Sequence, residues 1–481
     1  MNKAHINLDP ETTPGFIHAK GLTRESADAA GQALESNRVN HIFTSDKALI
    51  ARLHNHVVYH VLSLWAMGAS PQQIYQHSER NVHCALPPPK VADEETVKSL
   101  SDPENLKKTL GQEECYQDLI VFFEHEIERL GVDQTLQEYL LGDSEFARSS
   151  YPRVYHGYVH AIMHVGLGLE FSQPSILAEG LAETVVHNEP WYTEYHELCR
   201  TVAASTTAED RLSLLQAYTS CVNDPVIAKC MDWDLAVQFK APEESWEAIM
   251  ADKNFRPPVE EPWRHRAWGR AGKNLAAITG RWKVDPDEDL ERAAAEVINT
   301  STYVTCSAML PPHEFRVDFF LMHVVNAAYW LQAYLRMDSI SRVQKSCMIE
   351  DTGRLLTFMA AGVGMPSLHP EVLEQHIIKA NGGKGKDWDE LFATVCHHAD
   401  DGHMIKFIRA LANGEKVCKP FEGQNGFPMR QNLFLKAANA VLDNSSTKPM
   451  AFLAHFDLLR AVGLPEAWAE VPLQTKVANG A

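Results

Sequence analysis

The chain has 481 residues, 45% of them hydrophobic and 22% charged, which is the balance of a globular protein with a sizeable core and not of a disordered one. Its 63 acidic and 44 basic side chains leave a formal charge of −19, and no Lys/Arg run exceeds a dipeptide, which argues against a nucleic-acid or anionic-membrane partner. Nine scattered cysteines, an odd number with no Cys-x-x-Cys among them, indicate neither a disulfide framework nor a zinc ribbon.

The N-terminal MNKAHINLDPETTPGF lacks the apolar segment of a secretory signal. No stretch approaches the roughly 18 uncharged apolar residues of a membrane span. The expectation is a soluble, cytoplasmic protein. Residues 1–44 are polar with weak periodicity and read as an N-terminal arm; 45–481 read as a single all-α domain. From Lys47 to Met67 apolar residues recur at helical spacing, stopping at Gly68-Ala-Ser-Pro71. Leu86-Pro-Pro-Pro-Lys90 reads as an extended connector. Helical patterns follow near 113–130, 134–142, 153–165, 174–187, 208–222 and 226–238. The Pro- and Trp-rich stretch 253–270 reads as a loop or lobe boundary. Further helical patterns lie near 288–298, 314–336, 345–361, 370–379, 387–398 and 402–412, with a Gly-rich turn at Asn381–Gly385. No strand–Asn-Gly–strand hairpin and no internal repeat are found. The fold class is mainly α: a large helical bundle, or two lobes around a shared core, with a buried metal site.

The metal expectation rests on histidines. His156, His160 and His164 recur every four residues in YPRVYHGYVHAIMHVGLGLEF, so a regular helix would stack them on one face. Imidazoles on an apolar stretch cost desolvation unless something binds them. His56 and His60 repeat the spacing in LHNHVVYHVLSLW, beside His54. His323 lies in the apolar DFFLMHVVNAAYWL, and His397, His398 and His403 sit near Asp400, Asp401 and Lys406. Each alone is more simply a hydrogen-bonded core histidine. Their recurrence on several helices lets them converge in one bundle interior. A site of imidazoles suits iron, copper, zinc or nickel. Such a site lacks negative charge, for which Glu170, Glu183, Asp400 and Asp401 are candidates. Lys406 is another: a buried amine that reacts with carbon dioxide becomes an anionic carbamate. The plainer alternative pairs Lys406 with Asp400 or Asp401 on a solvated helix face.

Other chemistries find no support. No Glu follows the first histidine of a His-x-x-x-His pair, as zinc proteases require, and no histidine has Glu three residues before it, as carboxylate-bridged di-iron bundles require. Neither G-x-G-x-x-G, a P-loop nor G-x-S-x-G occurs. The aromatic residues Tyr329-Trp330, Trp263, Trp268 and Trp191-Tyr192 read as core, or alternatively as the lining of a flat pocket.

Taken together, HNHVVYHVLSLWAMGASPQQI (54–74), HAIMHVGLGLEFSQPSILAEGLAETVVH (160–187), MHVVN (322–326) and HHADDGHMIKFIRAL (397–411) resemble the questin oxidase-like family of fungal and bacterial enzymes. The resemblance spans most of the chain. It implies oxygenative cleavage of an anthraquinone ring in aromatic polyketide biosynthesis, formally a Baeyer–Villiger oxidation. Family members are described both as NADPH-dependent oxidases and as non-haem iron oxygenases. With no dinucleotide fingerprint here, Fe(2+) is the expected cofactor and dioxygen the co-substrate, with NADPH as an alternative electron source. One histidine per motif makes four ligands: His56 or His60, His160 or His164, His323 and His403, with carbamylated Lys406 as the anionic fifth. The preferred set is His60, His160, His323, His403 and Lys406. His56, His164 or His187 would then take a proton from the substrate phenol. The partner implied is an aromatic polyketide small molecule; oligomeric state is left open. Two rival expectations are a metal-free Baeyer–Villiger monooxygenase, NADPH-dependent or cofactor-free, and a non-enzymatic helical scaffold.

Overall fold

The helices of this chain begin and end where side chains can take over backbone hydrogen bonds. In a computed structural model, residues 6–40, 42–46, 51–82, 90–233, 262–445 and 458–474 are described, and they form a mainly α-helical bundle with one two-stranded ladder. Helix α1 (Arg24–Asn37) opens on Thr23, whose hydroxyl accepts from the Ser26 amide. It buries Ala27, Ala30 and Leu34 against α2 (Val57–Ala66) and α3 (Pro71–Val82). The polar N-terminal arm thus contains a packed helix. Its buried stripe is mostly alanine, which is why its hydrophobic periodicity is weak.

Strands β1 (Phe43–Asp46) and β2 (Ala51–His54) pair antiparallel, with Phe43 opposite His54. The helix expected from Lys47 therefore starts only at Val57, since 51–54 belong to the ladder and 47–50 lie outside the described residues. Asn55 makes the break: its side-chain oxygen accepts from the Val57 amide at 3.0 Å and leaves His56 as the α2 cap.

The long helices that follow are α4 (Tyr116–Leu130), α5 (His156–Glu170), α6 (Pro174–Val186), α7 (Pro190–Ser205), α8 (Pro262–Thr279), α9 (Leu290–Ser307), α10 (Phe319–Tyr329), α11 (Arg342–Gly362), α12 (His403–Cys418) and α13 (Gln431–Asp443). The stretch read as a loop at 253–270 is helical in its second half. Pro262 suits a first helical turn because its missing N–H would have no partner there. Residues 253–261, and the proline connector at 86–89, lie outside the described residues. The pattern at 208–222 shortens to Leu214–Asn223, because Ser213 and Gln216 form a capping box that starts the helix there. Of that at 226–238, residues 234–238 lie outside the described residues; the described part holds one 3-10 turn, Ile227–Lys229, and a helical Trp233.

Four helices surround one point of the core: α2 packs on α5 and α12, and α10 packs on the same two. Two of them are aimed by carboxylate caps. Asp318 accepts from the Phe320 and Leu321 amides to start α10, and Asp400 accepts from the Met404 amide at 2.7 Å to start α12. Gly402, with φ 103°, is the turn into α12, and a Cβ there would lie 2.8 Å from that of His60. Among the described residues no helix is long and apolar enough to cross a membrane.

Candidate metal centre

Three left-handed residues decide which histidines face inward. Gly157, Tyr158 and Val159 have φ of 58°, 54° and 65° inside α5. Glycine adopts such values freely, whereas a β-branched valine is strained there. The row His156–His160–His164 is therefore not one helix face. His156 accepts from the Glu189 amide through Nδ1 at 2.9 Å and is a structural link. His164 turns toward Glu179 and Glu183 while also touching Tyr59 of α2, and of the three only His160 meets His56 and His323.

There it meets His56, His323 and His403. Ring centroids are 5.2 Å apart for His56–His160, His160–His323 and His323–His403, and 4.5 Å for His403–His56. Each side of this ring of imidazoles matches one packed helix pair. The outer nitrogens are all held by acceptors. His160 Nδ1 donates to the Gly157 carbonyl at 2.7 Å, and His323 Nδ1 to that of Phe319 at 2.6 Å. His403 Nδ1 donates to Asp401 Oδ1 at 2.5 Å, and His56 Nδ1 faces Asp401 Oδ2 at 3.1 Å. With protons on Nδ1, the Nε2 lone pairs belong to the interior, and those of His56 and His160 stand 3.0 Å apart. Two facing lone pairs repel unless a cation or a shared proton lies between them. Burial holds all four imidazoles below their ordinary pKa, keeping them in the neutral form that ligates metal. Burial also opposes charge on Asp401, but His403 and His56 outweigh it and hold the carboxyl well below its usual range. Neutral nitrogen donors, each oriented by an outer acceptor, fit a first-row transition metal such as iron.

Lys406 is buried, with Nζ 3.4 Å from His323 Nε2, so it does not lie on a solvated helix face. Burial pulls its pKa down to about 8. Asp400, whose carboxyl burial raises to about 7, is occupied as the α12 cap. Glu170 serves the core: Arg409, Tyr329, Trp330 and the Phe16 amide all donate to it. Tyr329 and Trp330 are accordingly packing residues, as is Trp268, which lies against Tyr195 and Phe358.

His60, the preferred ligand of its motif, is not in the ring. Its Nδ1 bonds Asn81 at 2.9 Å and its ring packs on His77, because one helical turn from His56 the side chain points to α3. His397 reaches Gln73, and burial lowers His398 to about 4 near His77.

A second polar cluster lies behind the ring. His54 Nε2 and His187 Nε2 are 3.0 Å apart, with Glu183 Oε1 at 3.6 and 3.8 Å. His54 also stacks on His160 at 4.0 Å. His164 Nδ1 bonds Glu183 Oε2 at 2.8 Å and its Nε2 faces Glu179 at 3.6 Å. Burial opposes protonation of His164, but the two carboxylates overcome it and raise its pKa to about 9. An imidazolium has no lone pair, so the raised pKa disfavours the general-base role expected of His164. His54 and Glu179 were not singled out from the sequence as site residues. The available signal was Glu183-x-x-x-His187, i to i+4 at the end of α6.

Residues 53–411 match a family model described as questin oxidase-like. The chain is 31% identical over 460 residues to the Baeyer–Villiger monooxygenase dmxR6 of Cryptosporiopsis sp., covering 93% of this chain and 95% of that protein. It is 30% identical over 442 residues to the oxidoreductase AflY of Aspergillus parasiticus, covering 92% and 83%. It is 29% identical over 476 residues to a questin oxidase of Aspergillus fumigatus, covering 98% and 99%.

Proposed function

The chain belongs to the questin oxidase-like family and is an oxygenase, not a passive scaffold; on that premise we propose that it is a non-haem iron(II) enzyme cleaving a ring carbon–carbon bond of an anthraquinone, taken as its hydroquinone, in aromatic polyketide biosynthesis. One observation carries the metal part of this reading: two Nε2 lone pairs 3.0 Å apart inside a ring of four neutral, buried imidazoles. That separation suits adjacent ligands, since metal–imidazole bonds of about 2.1 Å meeting near a right angle put their nitrogens about 3 Å apart. His56, His160, His323 and His403 would hold the ion, with His56 in the place first given to His60. A bound iron(II) supplies the redox chemistry that activates dioxygen.

The remaining roles belong to the chain's own residues. Asp401 holds His56 and His403 in the ligating tautomer. Lys406 supplies the missing negative charge after its free amine adds to carbon dioxide, forming an N–C bond and releasing one proton. Its lowered pKa and its place beside His323 support that role. Phe319 packs on both His323 and His403 at 4.6 and 5.0 Å and excludes water from that side. The overall reaction balances without another reductant: a hydroquinone and dioxygen give the oxygen-inserted product and one water. Starting from the quinone, two further electrons are needed, and NADPH is the alternative source.

The relatives' Baeyer–Villiger names fit equally a second reading, the same oxidation without metal. One experiment separates the two. Protein purified without chelator is assayed for iron, incubated anaerobically with an anthrahydroquinone, then given dioxygen. The proposal expects at least about one iron per chain, with one equivalent lost on His323→Ala, and ring-opened product only after the dioxygen pulse. Full turnover by iron-free protein overturns it.

A further inference from the structure

We propose that His54, Glu183 and His187 form a second site for a divalent transition-metal ion, sharing no ligand with the four-histidine ring. The three donor atoms come from the end of β2, from α6 and from the residue just after it, and form a triangle with edges of 3.0, 3.6 and 3.8 Å. Bonds of about 2.0–2.2 Å give donor–donor edges of roughly 3.0–3.6 Å, so a small shift of the carboxylate completes the fit. Two imidazoles and one carboxylate suit iron, cobalt or zinc rather than magnesium or calcium.

One further observation points to an ion. Glu183 is 1% exposed, and its Oε1, the atom facing both imidazoles, accepts no hydrogen bond among the described residues. Its Oε2 is anchored by His164 and Tyr59, so the free oxygen is aimed rather than loose. The backbone also stands close: a Cβ on Gly157 would come within 2.5 Å of His187 Nε2 and 2.7 Å of His54 Nε2, so only glycine lets the left-handed turn lie against both donor nitrogens. A plain histidine–histidine hydrogen bond explains the 3.0 Å contact. It does not explain the idle carboxylate oxygen.

The test uses the full chain, stripped of metal and titrated with Co2+, with d–d absorption and bound metal read together. The expected result is two equivalents for the wild type. A His323→Ala/His403→Ala protein, with the ring disabled, keeps one, and adding Glu183→Gln and His187→Ala removes it. Should the ring variant not fold by circular dichroism, single variants of the wild type decide: His187→Ala loses one of two equivalents. A wild type that saturates at one equivalent, unchanged by His187→Ala, overturns the proposal. One equivalent that survives ring substitution but not His187→Ala supports this site and counts against the ring instead, so the two readings fail separately.

Discussion

Asp401→Asn should release the proposed ring metal while leaving the helices intact. Both carboxylate oxygens are in use, Oδ1 accepting from His403 and Oδ2 facing His56 Nδ1. Asparagine is nearly isosteric but offers one acceptor and one donor group. Its amide would confront one imidazole N–H with another, so that ring must flip or change tautomer and present Nε2–H to the centre. Losing an outer partner of a ligand typically weakens metal binding about 10–100-fold. Since this one carboxylate serves two ligands, the expected loss is about 100-fold, or roughly 2.7 kcal/mol at 1.36 kcal/mol per decade. Competition with a chromophoric chelator at fixed pH measures it, and turnover should fall in parallel. Thermal unfolding of the metal-free proteins checks that the bundle persists. An Asn variant that binds iron as tightly as wild type would refute the idea that Asp401 sets the tautomers.

Lys406→Ala should lose metal and rate together, and acetate or bicarbonate should restore part of both; wild-type iron content and rate in this variant would sink the carbamate. Gly157→Ala places a side chain where φ is 58° and where His187 and His54 already stand. The backbone alone costs about 1–2 kcal/mol, so the melting temperature should drop and one Co2+ equivalent should vanish; an unchanged melt contradicts the turn. Away from the site, buried Asp351 holds Arg200 and Arg354 and lies 2.9 Å from His196. Asp351→Ala takes a carboxylate from the buried Arg354 and should cost about 3–5 kcal/mol in urea unfolding. Burial pushes the Asp351 carboxyl up, but His196, Arg200 and Arg354 outweigh it and hold it below its ordinary 3.8. A depressed folded pKa gives stability that is complete above the unfolded value and is lost as pH falls through the folded one. Stability should therefore decline as pH falls below about 4, less steeply in Asp351→Asn.

The helical class, the place of the motifs on helices and the convergence of four of them were legible because apolar spacing and repeated histidines are local signals. Which histidine of each motif turns inward was not, because that depends on where a helix begins. His56 enters the ring since Asn55 delays α2 by capping it, which puts His60 one turn further on, against Asn81. The i, i+4 rule assumes a regular helix, and Gly157–Val159 break it without a proline or a Gly-rich run to announce the fault. A single glycine in a helical pattern is ordinary. Here, followed by two strained residues, it inverts the helical hand for one turn and separates His156 from His160 and His164. Strain of that kind persists only where surrounding structure over-determines it, and the surroundings are the two clusters themselves: Gly157 donates its amide to Glu189, accepts from His160 and packs so closely on His54 and His187 that a Cβ would clash with both. One turn thus orients His160 of the ring on one side and packs against His54 and His187 on the other, so the two clusters are joined through backbone geometry as well as through the stacked rings of His54 and His160.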